Sequence, residues 1–159
     1  MARQACYRSS SARGDWLTDE VRAWKQAGFD IMVSLLTKDE SDELGLADEA
    51  HLSRVHGLQF CNFPIPDLGV PKSSAAAREL IDKLNGALAA GKNVGIHCRQ
   101  GIGRSGLVAA SLLVDSGVDP ETAFRQVSAA RGLPVPETSD QRDWVLELAR
   151  ESAASLVKG

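Results

Sequence analysis

One ten-residue stretch, His97-Cys98-Arg99-Gln100-Gly101-Ile102-Gly103-Arg104-Ser105-Gly106, holds the residues best suited to chemistry. A cysteine and an arginine bracket a loop that carries two glycines. A hydrophobic run over residues 93–96 precedes it, and an apolar helical pattern over residues 107–114 follows. The stretch therefore reads as a strand-to-helix turn whose backbone N–H groups converge at a helix N-terminus, an anion site built of main chain. Such a place stabilises a thiolate, and a thiolate is a strong nucleophile. Arg104 brings the planar fork that grips two oxygens of one phosphoryl group. The chemistry expected is attack of sulfur on a phosphate ester whose oxygens the loop holds. A bare Cys-x5-Arg would arise by chance in roughly one such chain in five. Adding the preceding histidine, both glycines and the following serine lowers this to the order of 10⁻⁶–10⁻⁵. A structural cysteine beside a loop arginine is the weaker explanation.

The elements that must position this loop are legible from periodicity and punctuation. Residues 15–27 read as a helix, with Trp16, Val21 and Trp24 on one face and Gly28 as the stop. A buried strand spans residues 30–36, and the acid-rich residues 38–50 read as short helical turns. A second strand over residues 58–63 delivers the chain to Pro64, Pro66 and Pro71, which remove backbone donors and force a loop around Asp67. Ser73 or Ser74 caps a helix that runs to Ala90. Residues 94–98 read as a central strand, followed by a helix to about Ser116. Asp119-Pro120 opens a helix to Arg131, and a last helix runs over residues 139–155. Strands alternating with helices predict an α/β fold with the active loop at the carboxyl end of a strand.

Composition narrows the function classes. A chain of 159 residues, 43% of them hydrophobic, can bury a sizeable core and is most simply one domain over residues 15–159. Residues 1–14, rich in Arg and Ser and free of acids, read as a tail or a short first strand. A net charge of −3 argues against nucleic acid and anionic membranes as partners. The absence of a long apolar run or a secretory segment predicts a cytoplasmic protein. Cys6, Cys61 and Cys98 are odd in number and lack metal-ligand spacing, which suits a reducing compartment. His51 and His56 lie in a polar segment and read as surface residues, so neither metal nor cofactor is expected.

The pattern HCxxGxxRS at residues 97–105 resembles the signature loop of the cysteine-based protein phosphatases, the tyrosine and dual-specificity superfamily. Phe63-Pro64-Ile65-Pro66-Asp67-Leu68-Gly69-Val70-Pro71 is similar to the loop that carries that family's general-acid aspartate. Thr138-Ser139-Asp140-Gln141 is similar to its water-positioning segment. The resemblance extends from about Asp15 to Ala149. It implies a mostly parallel twisted sheet flanked by helices, with the signature loop between the central strand and a helix.

Roles follow for single residues. Cys98 is the nucleophile that forms a phosphocysteine, and the amides of Arg99, Gln100, Gly101, Ile102 and Gly103 join Arg104 in binding the phosphate. Asp67 protonates the leaving oxygen and then activates water; by residue type alone, stabilising a Pro-rich turn is an equal reading. The Ser105 hydroxyl donates to the thiolate, caps the helix, or does both. The resemblance implies that His97 is buried and orients the loop. For Gln141 two readings stand, a water-positioning group or a solvated side chain in a polar first turn. Arg99 either projects from the rim toward an acidic substrate or pairs with a surface acid. Cys61 is either a small buried hydrophobe or a thiol that traps oxidised Cys98.

The short chain leaves no segment to deepen the pocket as in classical tyrosine-specific enzymes. It looks like a compact, atypical dual-specificity phosphatase, a monomer hydrolysing phosphotyrosine and, in a shallower pocket, phosphoserine or phosphothreonine. Phosphate, vanadate and tungstate are the inhibitors expected of such a loop. The rivals are a phosphatase for small metabolites or lipids, a phosphate-binding module without turnover, and thiol redox or sulfur-transfer chemistry. Gln100 and Ile102 stand where relatives acting on inositol phosphates carry extra positive charge, which weakens the lipid reading.

Overall fold

The carboxyl ends of three short parallel strands set where the chemistry can occur. In the computed structural model, which describes residues 16–159, these are β1 (Ile31–Ser34), β2 (Gln59–Asn62) and β3 (Val94–His97), in the order β2-β1-β3. Ser34 is in register with both Asn62 and His97, so the strands end level. The loops holding Asp67 and Cys98 therefore leave the same edge of the sheet. The expected tail or first strand over residues 1–14, and Cys6, lie outside the described residues.

Side chains alternate across β1 and divide the core in two. Ile31, Val33 and Leu35 join Val94, Ile96 and the apolar faces of α4 (Ser74–Ala89), α5 (Gly103–Asp115), α6 (Pro120–Arg131) and α7 (Ser139–Val157). Met32 and Leu36 pack on the other side against Leu17, Val21 and Trp24 of α1 (Trp16–Gln26), with Leu46 and Leu58. The mostly parallel sheet flanked by helices is the architecture expected. One detail differs: among the described residues the middle strand is β1, and β3 stands beside it. A fully buried strand reads the same whether strands or helices cover it, and here α4 and α5 contribute to covering β3.

Capping explains the element boundaries. Ser73 accepts from the Ala76 N–H at the start of α4, and Asp119 from Thr122 N–H with Pro120 just inside α6. Gly132 ends α6 in the left-handed conformation. The acid-rich residues 38–50 yield α2 (Lys38–Glu43) and the start of α3 (Glu49–Val55), which continues past the expected short turns. Thr37 opens α2 through a capping box with Glu40.

Candidate active site

Between β3 and α5 the chain turns in five residues, and Gly101 takes a φ of +70° that glycine adopts without cost from a Cβ. Ile102 occupies the N-cap of α5 and has no side chain that can cap. The first-turn N–H groups of a 13-residue helix thus have no side-chain acceptor at the cap and present an anion site. Cys98 lies at its mouth, only 3% exposed. Its Sγ accepts from the Gly101 N–H at 3.2 Å and from the Ser105 hydroxyl at 3.0 Å. Both donors point at the sulfur from the side of the helix start. Of the two readings for Ser105, the hydroxyl goes to sulfur, and the cap belongs to Ile102.

Arg104, at the start of α5, is almost fully buried. Its Nη1 donates to Glu40 Oε2 at 2.7 Å and its Nη2 to Oε1 at 2.8 Å, a bidentate pair. Nη1 also donates to the Ile65 carbonyl at 2.9 Å, and Nη2 stands 3.3 Å from Asp67 Oδ1. A guanidinium has five N–H donors. Glu40 and Ile65 use three of them; Nε–H and the second Nη2–H, beside Asp67, are the other two. Burial works against the charge on Arg104, but the Glu40 hydrogen bond and the neighbouring Cys98, Glu40 and Asp67 outweigh it and raise its pKa. The Arg104 hydrogen bond in turn holds Glu40 at about 2, against the opposing effect of burial.

Asp67 sits in a tight turn closed by the Gly69 N–H donating to the Pro66 carbonyl at 2.8 Å. A Cβ on Gly69 would come within 2.9 Å of that carbonyl oxygen, so only glycine closes it without a shift. Leu68, in the turn, has a φ of +59°, an uncommon conformation for leucine. The Asp67 side chain is 63% exposed, and its Oδ1 accepts from the Leu68 N–H at 3.0 Å. The exposed Asp67 carboxylate thus pairs directly with the buried Arg104 guanidinium.

His97 is fully buried, as the resemblance implied, with Nε2 2.6 Å from the buried Glu49 Oε1 and its ring near Trp24. Gln141 is also fully buried, so it is not the solvated side chain that a polar first turn suggests. Its Oε1 accepts from the N–H groups of Glu137 and Thr138, and its Nε2 donates to the Gly69 carbonyl at 3.1 Å. A Cβ on Gly103 would lie 3.0 Å from both amide heavy atoms, so Gln141 packs on the first residue of α5. Arg99 takes the second of its two readings: it pairs with Glu43 at 3.0 Å on the surface. Gln100 is exposed, while Ile102 is half-buried against the larger core.

Cys61 is half-buried, and its Sγ accepts from Lys83 Nζ at 3.1 Å. β1 separates its strand from the one that leads to Cys98, a gap of roughly 10 Å at two strand spacings. A disulfide needs Cα atoms within about 7 Å, so these backbones do not bring the two thiols together. Sequence reasoning missed Glu40 and Glu49, both in the acid-rich segment read only as short helical turns. Thr37-x-x-Glu40 is a capping-box signature that could have located the first; nothing local marks the second.

Among the described residues no three His, Cys, Asp or Glu side chains cluster to hold a metal ion, and no helix is long and apolar enough to cross a membrane. Among curated proteins, cyclin-dependent kinase inhibitor 3 of Sus scrofa is 30% identical over 134 residues, covering 83% of this chain and 63% of the relative. The chain thus spans under two thirds of that relative's length. A solved kinase associated phosphatase, with serine substituted for its catalytic-site cysteine, superposes with a TM-score of 0.82 at 26% identity, over 96% of this chain and 85% of the other. Tk-PTP in its active form gives a TM-score of 0.74 at 28% identity, over 94% and 93%. The family model described as the DSP-PTPase phosphatase of polymorphic toxin systems matches residues 7–118, well over half of the sequence, and the chain belongs to that family.

Proposed function

We propose that this chain is a metal-independent phosphomonoester hydrolase that works through a phosphocysteine on Cys98. The observation that carries the reading is the convergence at one site of a thiol with two donors on its sulfur, an uncapped helix N-terminus, and Arg104 with Asp67 3.3 Å away. In the first step Cys98 sulfur attacks phosphorus in line, and the bond from phosphorus to the ester oxygen breaks. The departing oxygen takes the proton of Asp67. The amides from Arg99 to Gly103 and the Arg104 guanidinium hold the equatorial oxygens, doing for their charge what a metal does elsewhere. In the second step Asp67 takes a proton from water, whose oxygen attacks phosphorus. The S–P bond breaks, the Ser105 hydroxyl steadies the departing thiolate, and inorganic phosphate is released. His97, held by Glu49, fixes the end of β3 from which Cys98 projects.

The substrates proposed are phosphoproteins, phosphotyrosine first and phosphoserine or phosphothreonine second. The names of the kinase-linked relatives support that choice over a small phosphoester. A free catalytic thiol suits the reducing cytoplasm, and the chain acts as a monomer that phosphate, vanadate and tungstate inhibit. The test is hydrolysis of para-nitrophenyl phosphate in the presence of a chelator. Turnover in wild type, lost in Cys98→Ser and strongly reduced in Asp67→Ala, supports the reading. Reduced, folded wild type that binds vanadate without turnover would make the chain a phosphate-binding module instead.

A further inference from the structure

We propose that Gln141 is a positioning residue for Asp67, pinning the acid-bearing turn to the phosphate loop before any substrate arrives. The proposal rests on Asp67 serving as the acid in the hydrolysis above. Its basis is the hydrogen-bond count of a fully buried amide. Oε1 accepts from two backbone N–H groups, of Glu137 at 3.1 Å and Thr138 at 3.2 Å, which fills both lone pairs of a carbonyl oxygen. Nε2 gives one hydrogen to the Gly69 carbonyl at 3.1 Å. Two N–H donors at one end and a carbonyl at the other fix the orientation of the amide without ambiguity. Both acceptor sites of the amide are used within the protein, so of the two readings for this residue, water positioning could draw only on the second Nε2 hydrogen.

The arrangement at Gly69 has a counterpart on the other side of the turn. Arg104 Nη1 donates to the Ile65 carbonyl at 2.9 Å, and the Ile65 N–H donates to the Leu35 carbonyl just past β1. The two anchored carbonyls, Ile65 and Gly69, flank Asp67, and both anchoring side chains are buried beside the start of α5. An exposed turn with leucine at positive φ does not hold its own shape. Anchors at both ends fix it, and so set where the Asp67 carboxyl points relative to the leaving oxygen. Losing the Gly69 anchor should therefore cost proton delivery and spare phosphate binding.

The discriminating variant is Gln141→Glu. It keeps an oxygen for the Glu137 and Thr138 amides and turns the donor facing Gly69 into an acceptor. Its kcat/KM is compared with wild type on phenyl phosphate, a poor leaving group, and on 2,4-dinitrophenyl phosphate, which needs no acid. The expected result is a loss of about tenfold or more on phenyl phosphate and under about threefold on the dinitrophenyl ester. In an Asp67→Ala background the same change should add no further loss on phenyl phosphate. Any charge repulsion from the new carboxylate would lower both esters alike, so the difference between them is the readout. Gln141→Met serves the same comparison if the glutamate variant does not fold. Equal losses on both esters, an unchanged rate on phenyl phosphate, or a burst showing slowed phosphocysteine hydrolysis would each overturn the assignment. Wild type that hydrolyses neither ester would overturn the hydrolase reading itself, whatever stands at residue 141.

Discussion

The two loops that meet at this site are built on opposite principles. Both leave the same edge of the sheet, and both contain one residue at positive φ, Gly101 in one and Leu68 in the other. The Cys98 loop is held by burial: its sulfur receives two donors, and the strand before it rests on a fully enclosed His97–Glu49 pair. The Asp67 turn is exposed and is held at two carbonyls by side chains from elsewhere, Arg104 and Gln141. A buried thiol is placed by the packing of a core, whereas an exposed carboxylate is placed by a tethered surface turn. Arg104 belongs to both loops, so damage there should be felt in each.

Breaking that shared residue is the harshest test. Arg104→Ala removes the anion grip and leaves Glu40 as a buried carboxylate without its partner. Unfolding by denaturant should show a loss of about 3–5 kcal/mol, alongside a fall in kcat/KM of at least about 10²-fold. Asp67→Ala should separate the loops. Its side chain is exposed, so stability should stay within about 0.5 kcal/mol of wild type while turnover of phenyl phosphate drops 10²–10⁴-fold, roughly the worth of one general acid. A large stability loss in this variant would mean the turn is a structural part of the core.

The Glu40–Arg104 pair also sets a pH dependence. Glu40 has a folded pKa of about 2 against an ordinary value of 4.5. Because the folded value is depressed, its contribution to stability is present above about pH 4.5 and is lost as pH falls toward 2. The size is on the order of 3 kcal/mol. Chemical denaturation across that window should show the loss in wild type and a flatter profile in Glu40→Gln, at a lower starting stability. A Glu40→Gln profile as steep as wild type would place the acid sensitivity elsewhere. The mildest change concerns the turn itself. Leu68→Gly relieves a positive φ, worth about 1–2 kcal/mol, and gives back part of this through unfolded-chain entropy. A gain of roughly 0.5 kcal/mol is expected, and a clear loss would mean that the leucine side chain holds the turn.

How much of this was legible in the sequence follows the same division. The Cys98 loop could be read because each of its parts leaves a local mark: a hydrophobic strand, glycines at the turn, an arginine at fixed spacing, an apolar helix. Asp67 could be placed because three prolines around it exclude a strand. The carboxylates Glu40 and Glu49 could not be recognised, since acids in short helices look the same whether they face water or an arginine across the fold. Gln141 was singled out, but its hydrogen bond to Gly69, 72 residues away, is one that no local pattern encodes. Likewise, the uniform burial of β3 could not reveal which strand lies at the middle of the sheet.

The central claim is that Cys98 sulfur carries the phosphoryl group between the two steps. It is tested most directly by acid-quenching the reaction with para-nitrophenyl phosphate within one turnover and mapping the modified peptide by mass spectrometry. The expected result is a single phosphoryl adduct on Cys98 that decays as inorganic phosphate appears and never forms in Cys98→Ser. A phosphoryl adduct on any other residue, or turnover that persists in Cys98→Ser, would contradict it.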